Sequence, residues 1–292
     1  MWTRYAPIAR GRDRLAALAI AGTRLPPASV TCRTVDGRRL TVDPACHTYR
    51  SVYFKGTYEP AVSALVTRIL RPGDVCLDVG ANIGWYTTLC ARCVAPAGTV
   101  HAFEPQADAF EALRRNVALL PEASAAVVLN DCALGDRQGD ARVHVFAELP
   151  NGHTSLGDFG RADATPQACE LTTVDAYLAQ RGGPPVTFVK LDIEGGELSC
   201  LHGAGRLFAQ AVPPLWIVEM ALATTRGFGY TPNDLVRCFR DRGDFDLFTI
   251  GETDGALTAL DGFAPHHPGA YVLCVPRGRF GDRLTGIIPE QT

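Results

Sequence analysis

The chain has 292 residues and a formal net charge of −3, with acids and bases interspersed along its length. That pattern leaves no basic footprint for nucleic acid, and no apolar run reaches the roughly 18–20 residues a membrane-spanning helix needs. The length suits one α/β domain of roughly 200–250 residues with an N-terminal extension.

At the N-terminus, Arg4, Arg10, Arg12 and Arg14 precede the apolar stretch Leu15–Ala21. A secretion signal has that order, but the apolar part is short and no small-x-small cleavage site follows it. The segment reads as a surface helix or a loose basic leader. The region 28–58 reads as extended, with "VTCRTVDGRRLTVD" a hairpin turning at Asp36-Gly37. "EPAVSALVTRIL" follows as a helix stopped by Pro72-Gly73.

Strands and helices then alternate. Strands are expected at Asp74–Val79, Thr99–Phe103, Ala125–Leu129, Val186–Leu191, Leu215–Met220, Phe245–Ile250 and Tyr271–Val275. They are nearly continuous apolar runs, as strands covered on both faces are. Helices are expected at Ile83–Val94, Ala107–Leu119, Gly196 to about Gln210, and Asn233–Arg242, the last with Thr231 as cap and Pro232 at its first position. Shorter strands are expected near Arg142–Phe146 and in Glu170–Leu178, the latter leading into a helix. The expected fold is a doubly wound, seven-stranded α/β sheet. Its last strand should be antiparallel, because the hairpin-like "GETDGALTALDG" replaces a crossover helix. The expected division is a leader and extension over 1–57, a catalytic domain over 58–280 and a tail over 281–292.

Ten cysteines are scattered without a disulfide framework. Cys76, Cys90, Cys200 and Cys274 lie in apolar runs, where thiols behave as small hydrophobes. Cys90 and Cys93 form a lone CxxC inside a predicted helix, so a zinc site lacks its second pair. Free buried thiols point to a reducing cytoplasm.

The first strand–helix turn, "LDVGANIGWYT", is the expected ligand site, since ligands of such sheets bind beyond the carboxyl ends of the strands. Gly80 and Gly84 keep the turn, but Asn82 and Trp85 stand where a dinucleotide fingerprint has glycines. A diphosphate would be crowded, and no Walker sequence follows. A nucleoside without phosphate fits better, and S-adenosylmethionine is such a ligand. Asp78 is placed to meet its ammonium. Glu104, closing "TVHAFE" twenty residues after Gly84, can accept both ribose hydroxyls, and Pro105 ends the strand. In "NDCALGD", Asn130 and Asp131 stand where an adenine amino group could be met, and Cys132 and Ala133 can line the ring.

The fourth main strand ends in "FVKLDIEGGE", which puts Lys190, Asp192 and Glu194 on one face while the chain stays extended. Glu219 in "WIVEM" reaches the same rim. Methyl transfer to a hydroxyl needs alignment, exclusion of water and a base. Asp192 is the first candidate base and His153 the second, with Lys190 holding Asp192 or Glu219. Two carboxylates and one histidine make a thin oxygen-ligand set, so no metal is expected. The stretch Leu149–Asp163 has few large apolar residues and reads as a cover over the acceptor.

The series "DVGANIGWYT", "VHAFEPQADAFEALRRNV", "NDCALGD", "NGHTSL", "LTTVDAYL", "FVKLDIEGGELSCLHGA" and "WIVEM" resembles the FkbM family of S-adenosylmethionine-dependent methyltransferases, from about Tyr58 to Met220. The resemblance implies a class I methyltransferase fold that methylates hydroxyls of sugars, polyketides or other secondary metabolites. It does not specify the acceptor. A nucleic-acid methyltransferase would carry a proline–aromatic motif where Asp192-Ile193-Glu194-Gly195 stand. A nicotinamide enzyme fails at Asn82 and Trp85. A non-catalytic binding module would keep the turn and lose the acidic rim.

Overall fold

The structure is a computed structural model, and it describes residues 29–146, 154–157 and 164–288. The chain opens with a hairpin, β1 (Val30–Arg33) and β2 (Arg39–Val42), antiparallel and turning through Asp36-Gly37 as expected. The region after it is not extended: α1 spans His47–Lys55. Its apolar residues Tyr49 and Val52 are three apart and both buried, so they share one helical face. Four apolar positions in nine residues, three of them consecutive, show no helical period. Helix α2 (Pro60–Ile69) follows, with Pro60 in its first turn and Val62, Leu65, Val66 and Ile69 buried on one stripe.

The alternating region runs β3 (Val75–Val79), α3 (Trp85–Cys93), β4 (Thr99–Phe103), α4 (Ala107–Val117), β5 (Ala126–Asn130), β6 (Cys132–Leu134), β7 (Gly139–Phe146), β8 (Thr154–Ser155) and β9 (Ala164–Thr172). After it come α5 (Val174–Ala179), β10 (Phe188–Leu191), α6 (Glu197–His202), α7 (Gly205–Phe208), β11 (Leu215–Ala221) and α8 (Leu222–Thr225). The chain ends with α9 (Pro232–Arg242), β12 (Phe245–Ile250), β13 (Leu257–Ala259), β14 (Gly269–Pro276) and α10 (Gly281–Leu284). The single helix expected from Gly196 is two short ones, broken at Gly203-Ala204. A Cβ on Gly203 would fall 2.0 Å from the carbonyl oxygen of Gly135, so a larger residue is excluded there.

The main sheet has the order β13-β12-β14-β11-β10-β3-β4-β5. The five strands from β11 to β5 are parallel, while β14 is antiparallel to both β11 and β12 and lies between them. The antiparallel last strand is as expected. The count is not: the hairpin-like segment contributes β13, an eighth strand of three residues paired to β12. Between β5 and β10 the chain builds a second sheet of order β6-β9-β7-β8. Its strand β9 is nine residues long with alternating exposure, a one-sided pattern that the expectation of a short strand near Glu170 understated.

Two apolar cores cover the faces of the main sheet. One gathers Leu77, Val79, Trp216, Phe239 and Leu201. The other joins Leu40, Val42, Val52 and Ile69 of the N-terminal elements to Cys76, Phe188 and Leu273 of the sheet. The hairpin and α1 are therefore built into the same core as β3, β10 and β14. Of these elements, α1 reaches the carboxyl end of β3, where a site is expected, and Tyr49 lies there. All ten cysteines are free, and Cys90 and Cys93 lie in α3. No helix among the described residues is long and apolar enough to cross a membrane.

Candidate functional site

A cleft of about 980 Å³, counting its open mouth, lies beyond the carboxyl ends of β3, β4 and β10. The turn after β3 forms its floor. Gly80 has φ +86°, and a Cβ there would fall 1.8 Å from the carbonyl oxygen of Asp192. Only glycine lets the β3 turn pass this close to the end of β10. Gly84, at φ +90°, precedes α3, and a Cβ there would press on Leu113 at 2.7 Å. Asn82 also takes a left-handed conformation, φ +48°.

Four amides of this turn are already used. Gly80 N and Ala81 N both donate to Phe103 O, at 3.0 and 2.9 Å, and Gly84 N donates to Ala81 O at 2.8 Å. Asn82 N donates to Glu104 Oε2 at 2.8 Å. A pyrophosphate-binding turn offers free N–H groups to its ligand. This one spends four of them on β4, on Glu104 and on its own Ala81, which agrees with the absence of the dinucleotide glycines.

Glu104 is 5% exposed and lines the cleft. Its Oε1 accepts from Gln106 N at 2.9 Å. Burial pushes its pKa up to about 7, while the two backbone N–H groups pull the other way. Each carboxylate oxygen keeps a lone pair beyond its amide. Pro105, Cys132 and Ala133 line the same wall, as the sequence suggested. Asp131 does not: it is exposed and outside the cleft wall, while Asn130 spends its side-chain amide on Ala102 O and Val128 O. Asp78 is also outside the wall. It lies beneath the turn, 1% exposed, and accepts from Thr87 Oγ1 in the first turn of α3. Burial pushes it up to about 6. Strand alternation fixes that Asp78 shares a face with Lys190, its register partner, but not that the turn closes over it.

On the β10 side, Lys190 is 1% exposed, and its Nζ donates to Asp192 Oδ2 at 2.9 Å. Burial opposes its charge, and the neighbouring Asp192 and Glu59 outweigh that and raise its pKa. The Lys190 ammonium also lies 4.3 Å from the Tyr271 ring centre and 5.0 Å from that of Tyr86. Asp192 lines the cleft. Burial works against its charge, but the Lys190 ammonium and the Tyr271 hydroxyl hold its pKa below the usual value. Lys190 therefore engages Asp192, the first of its two expected partners. The chain does not stay extended beyond Asp192, because Glu194 has φ +55°. The turn nevertheless brings Glu194 to Asp192 and Glu219, one oxygen of each lying within 4.8 Å of the others. Acids commonly group in this way without an ion, and no metal role is assigned to them. Glu219 Oε2 is closed off from solvent and has no hydrogen-bond partner among the described residues. Burial, with Asp192 and Glu194 beside it, raises its pKa well above the usual range.

The turn carrying Asp192 and Glu194 is tied from behind. The buried Glu197 accepts from Ile193 N and Gly195 N at 3.0 and 3.1 Å, and from the Tyr230 hydroxyl at 3.0 Å. Burial pushes Glu197 up to about 7 against those amides. His153 lies outside the described residues, as does most of Leu149–Asp163. Within that stretch, Thr154–Ser155 pair with β7, Ser155 Oγ donates to Glu194 O at 2.7 Å, and Leu156 lines the cleft.

Sequence reasoning missed three groups. Tyr49 and Tyr58 from the N-terminal elements, with Trp85, form an aromatic wall with ring centres 5.4 and 6.1 Å apart. Glu59 and Tyr271 join the Asp192 network, Tyr271 Oη lying 2.6 Å from Asp192 Oδ2 and 2.9 Å from Glu59 Oε1. Tyr86 donates to Glu59 Oε2 at 2.5 Å. The available signals were weak: an acid before the proline of a helix start, and one tyrosine in an apolar strand.

The family described as the methyltransferase FkbM domain matches residues 78–245. The chain is 30% identical over 197 residues to 31-O-demethyl-FK506 methyltransferase FkbM of Streptomyces tacrolimicus, covering 56% of this chain and 74% of that one. It is 27% identical over 165 residues to hexuronic acid methyltransferase AglP of Haloferax volcanii, covering 56% and 63% respectively. Among solved structures it is similar to a methyltransferase FkbM from Methylobacillus flagellatus, with TM-score 0.41, 16% identity, and 80% and 60% of the two chains covered. It is also similar to an S-adenosylmethionine-dependent O-methyltransferase from Thermotoga maritima, with TM-score 0.40, 14% identity, and 89% and 97% covered. At these values the structural likenesses carry no weight for activity or acceptor.

Proposed function

The chain belongs to the FkbM methyltransferase family and is a methyltransferase with S-adenosylmethionine as its cofactor; from that premise we propose O-methylation of a small hydroxylated acceptor, a sugar, polyketide or related secondary metabolite, with Asp192 as the base. The observation that carries this reading is Asp192 itself. It is a carboxylate in the cleft wall, held ionised by a buried ammonium 2.9 Å away. An ionised carboxylate beside the cofactor wall is the group a hydroxyl acceptor needs and a simple binding module does not.

The residues present fit the cofactor. The turn has no free amide row for a phosphate, Glu104 keeps lone pairs for two ribose hydroxyls, and Cys132 and Ala133 leave room for a flat ring. Bound S-adenosylmethionine supplies an electrophilic methyl group on a sulfonium. The protein's own work is positioning and proton handling. Glu104 fixes the ribose, the aromatic wall of Tyr49, Tyr58 and Trp85 excludes water and packs against the acceptor, and Asp192 takes the acceptor's hydroxyl proton. Lys190 keeps Asp192 charged until then. The cytoplasm is the proposed location, on the free thiols. A small molecule is favoured over nucleic acid because Glu104, Asp192 and Glu194 line the cleft and, among the described residues, Lys190 is the one basic residue in that lining.

The test is incubation with methyl-labelled S-adenosylmethionine and a panel of sugar, uronic acid and polyketide alcohols. The protein should label a hydroxyl, and Asp192→Asn should lower turnover by about 10²–10⁴. Label on nitrogen or carbon, or undiminished turnover in Asp192→Asn, contradicts the reading.

A further inference from the structure

Tyr271 stands between two carboxyl groups, 2.6 Å from Asp192 Oδ2 and 2.9 Å from Glu59 Oε1. A phenol has one hydrogen to give and a carboxylate has none. For both contacts to be hydrogen bonds, one of the two carboxyls must itself supply a hydrogen. Asp192 is not the supplier at that oxygen, because its Oδ2 already faces the Lys190 ammonium at 2.9 Å. The supplier is Glu59. Its other oxygen accepts from Tyr86, so its two oxygens play different parts, one accepting and one donating.

We propose that Glu59 is a positioning residue that acts as a neutral carboxyl: it donates to Tyr271 and so turns the tyrosine's one hydrogen onto Asp192. The chain of donors runs Tyr86 to Glu59 to Tyr271 to Asp192, and every hydrogen in it points toward the base. This rests on the reading of Asp192 as the base for a hydroxyl acceptor. It goes beyond that reading by giving the residue that caps α2 a part in the proton chemistry.

The surroundings agree with a neutral Glu59. Lys190 faces it from β10 and Asp192 from the turn after it, Tyr86 from α3, Tyr271 from β14, Tyr49 from α1, and Tyr58 precedes it in the chain. Lys190 is the one cation among these, and its hydrogen bond goes to Asp192. Burial and the Asp192 charge raise the Glu59 pKa, and Lys190 offsets them only in part. Glu59 also holds a left-handed backbone, φ +42°, that is unfavourable for a residue with a side chain. Strain kept at one residue that joins two tyrosines fits a role for that residue.

Protonation can be read without cofactor or acceptor. In the full chain carrying ¹³C at its glutamate side-chain carboxyls, the signal lost in Glu59→Gln is that of Glu59. At pH 7 it should have the shift of a neutral acid; the shift of a carboxylate would overturn the proposal. The amide of Glu59→Gln can accept from Tyr86 and donate to Tyr271 as the neutral acid does. Where an acceptor has been found, Glu59→Gln should therefore stay within about twofold of the parent rate. Glu59→Ala should fall about tenfold, because Tyr271 loses the donor that holds it against Asp192. An equal fall in both variants would mean that Glu59 works as an anion, and would overturn the proposal. If no hydroxyl acceptor is methylated at all, the O-methylation reading fails, while the carboxyl shift still decides the state of Glu59.

Discussion

The two sides of the cleft are built in opposite ways. On the β4 side, Glu104 is held by Asn82 N and Gln106 N, groups of its own turn and of the turn before it. The polar contacts there are short-range in sequence and made largely by backbone. On the β10 side, Asp192 is held by a tyrosine 79 positions away, and that tyrosine contacts a glutamate 212 positions away. Backbone holds the cofactor wall, while side chains from the start of α2 and from β14 meet at the proton-handling wall. A wall of the first kind tolerates side-chain changes elsewhere. A wall of the second kind depends on three distant segments docking together.

The two walls touch at Gly80. A Cβ there meets the Asp192 carbonyl, and the left-handed backbone adds its own cost. Gly80→Ala should therefore give the largest effect, roughly 3 kcal/mol or more of lost stability, because neither backbone can move without the other. Chemical denaturation measures it. A loss under about 1 kcal/mol would show the two walls to be less tightly joined than this contact implies.

A smaller effect separates the walls by pH. Glu104 is pushed up to about 7 by burial, and ribose hydroxyls donate best to its ionised form. Cofactor binding thus favours the deprotonated carboxyl. Affinity should be full above pH 7 and should fall as pH drops through about 7, with a proton released on binding at lower pH. Glu104→Gln should flatten the profile. Calorimetry in buffers of different ionisation enthalpy reads the released proton. The same profile in parent and Glu104→Gln would remove Glu104 from the linkage.

The contrast between the walls also explains what was legible in the sequence. Gly80, Gly84, Glu104, Cys132 and Ala133 follow from strand ends counted along the chain, because their geometry is local. The pairing of Lys190 with Asp192 was equally near at hand. For Asp78 alternation gives a face and not a depth: it lies buried beneath the turn, where it accepts from Thr87. Glu59 and Tyr271 were not legible. Their meeting depends on β14 inserting between β11 and β12, which puts Tyr271 opposite Glu219, and on the start of α2 lying at the same rim. The eighth strand and α1 were missed for a plainer reason. Three and nine residues are too few for a period to show.

The most direct test of two separable walls is calorimetry of S-adenosylmethionine and its demethylated product on three proteins: the parent, Glu104→Ala and Asp192→Asn. Glu104→Ala should weaken both ligands by about 1–3 kcal/mol, the loss of a charged acceptor for two hydroxyls. Asp192→Asn should bind both within about twofold of the parent, a difference of about 0.4 kcal/mol. Unchanged affinity in Glu104→Ala, or a loss in Asp192→Asn as large as that in Glu104→Ala, would contradict the division of the cleft into a cofactor wall and a proton-handling wall.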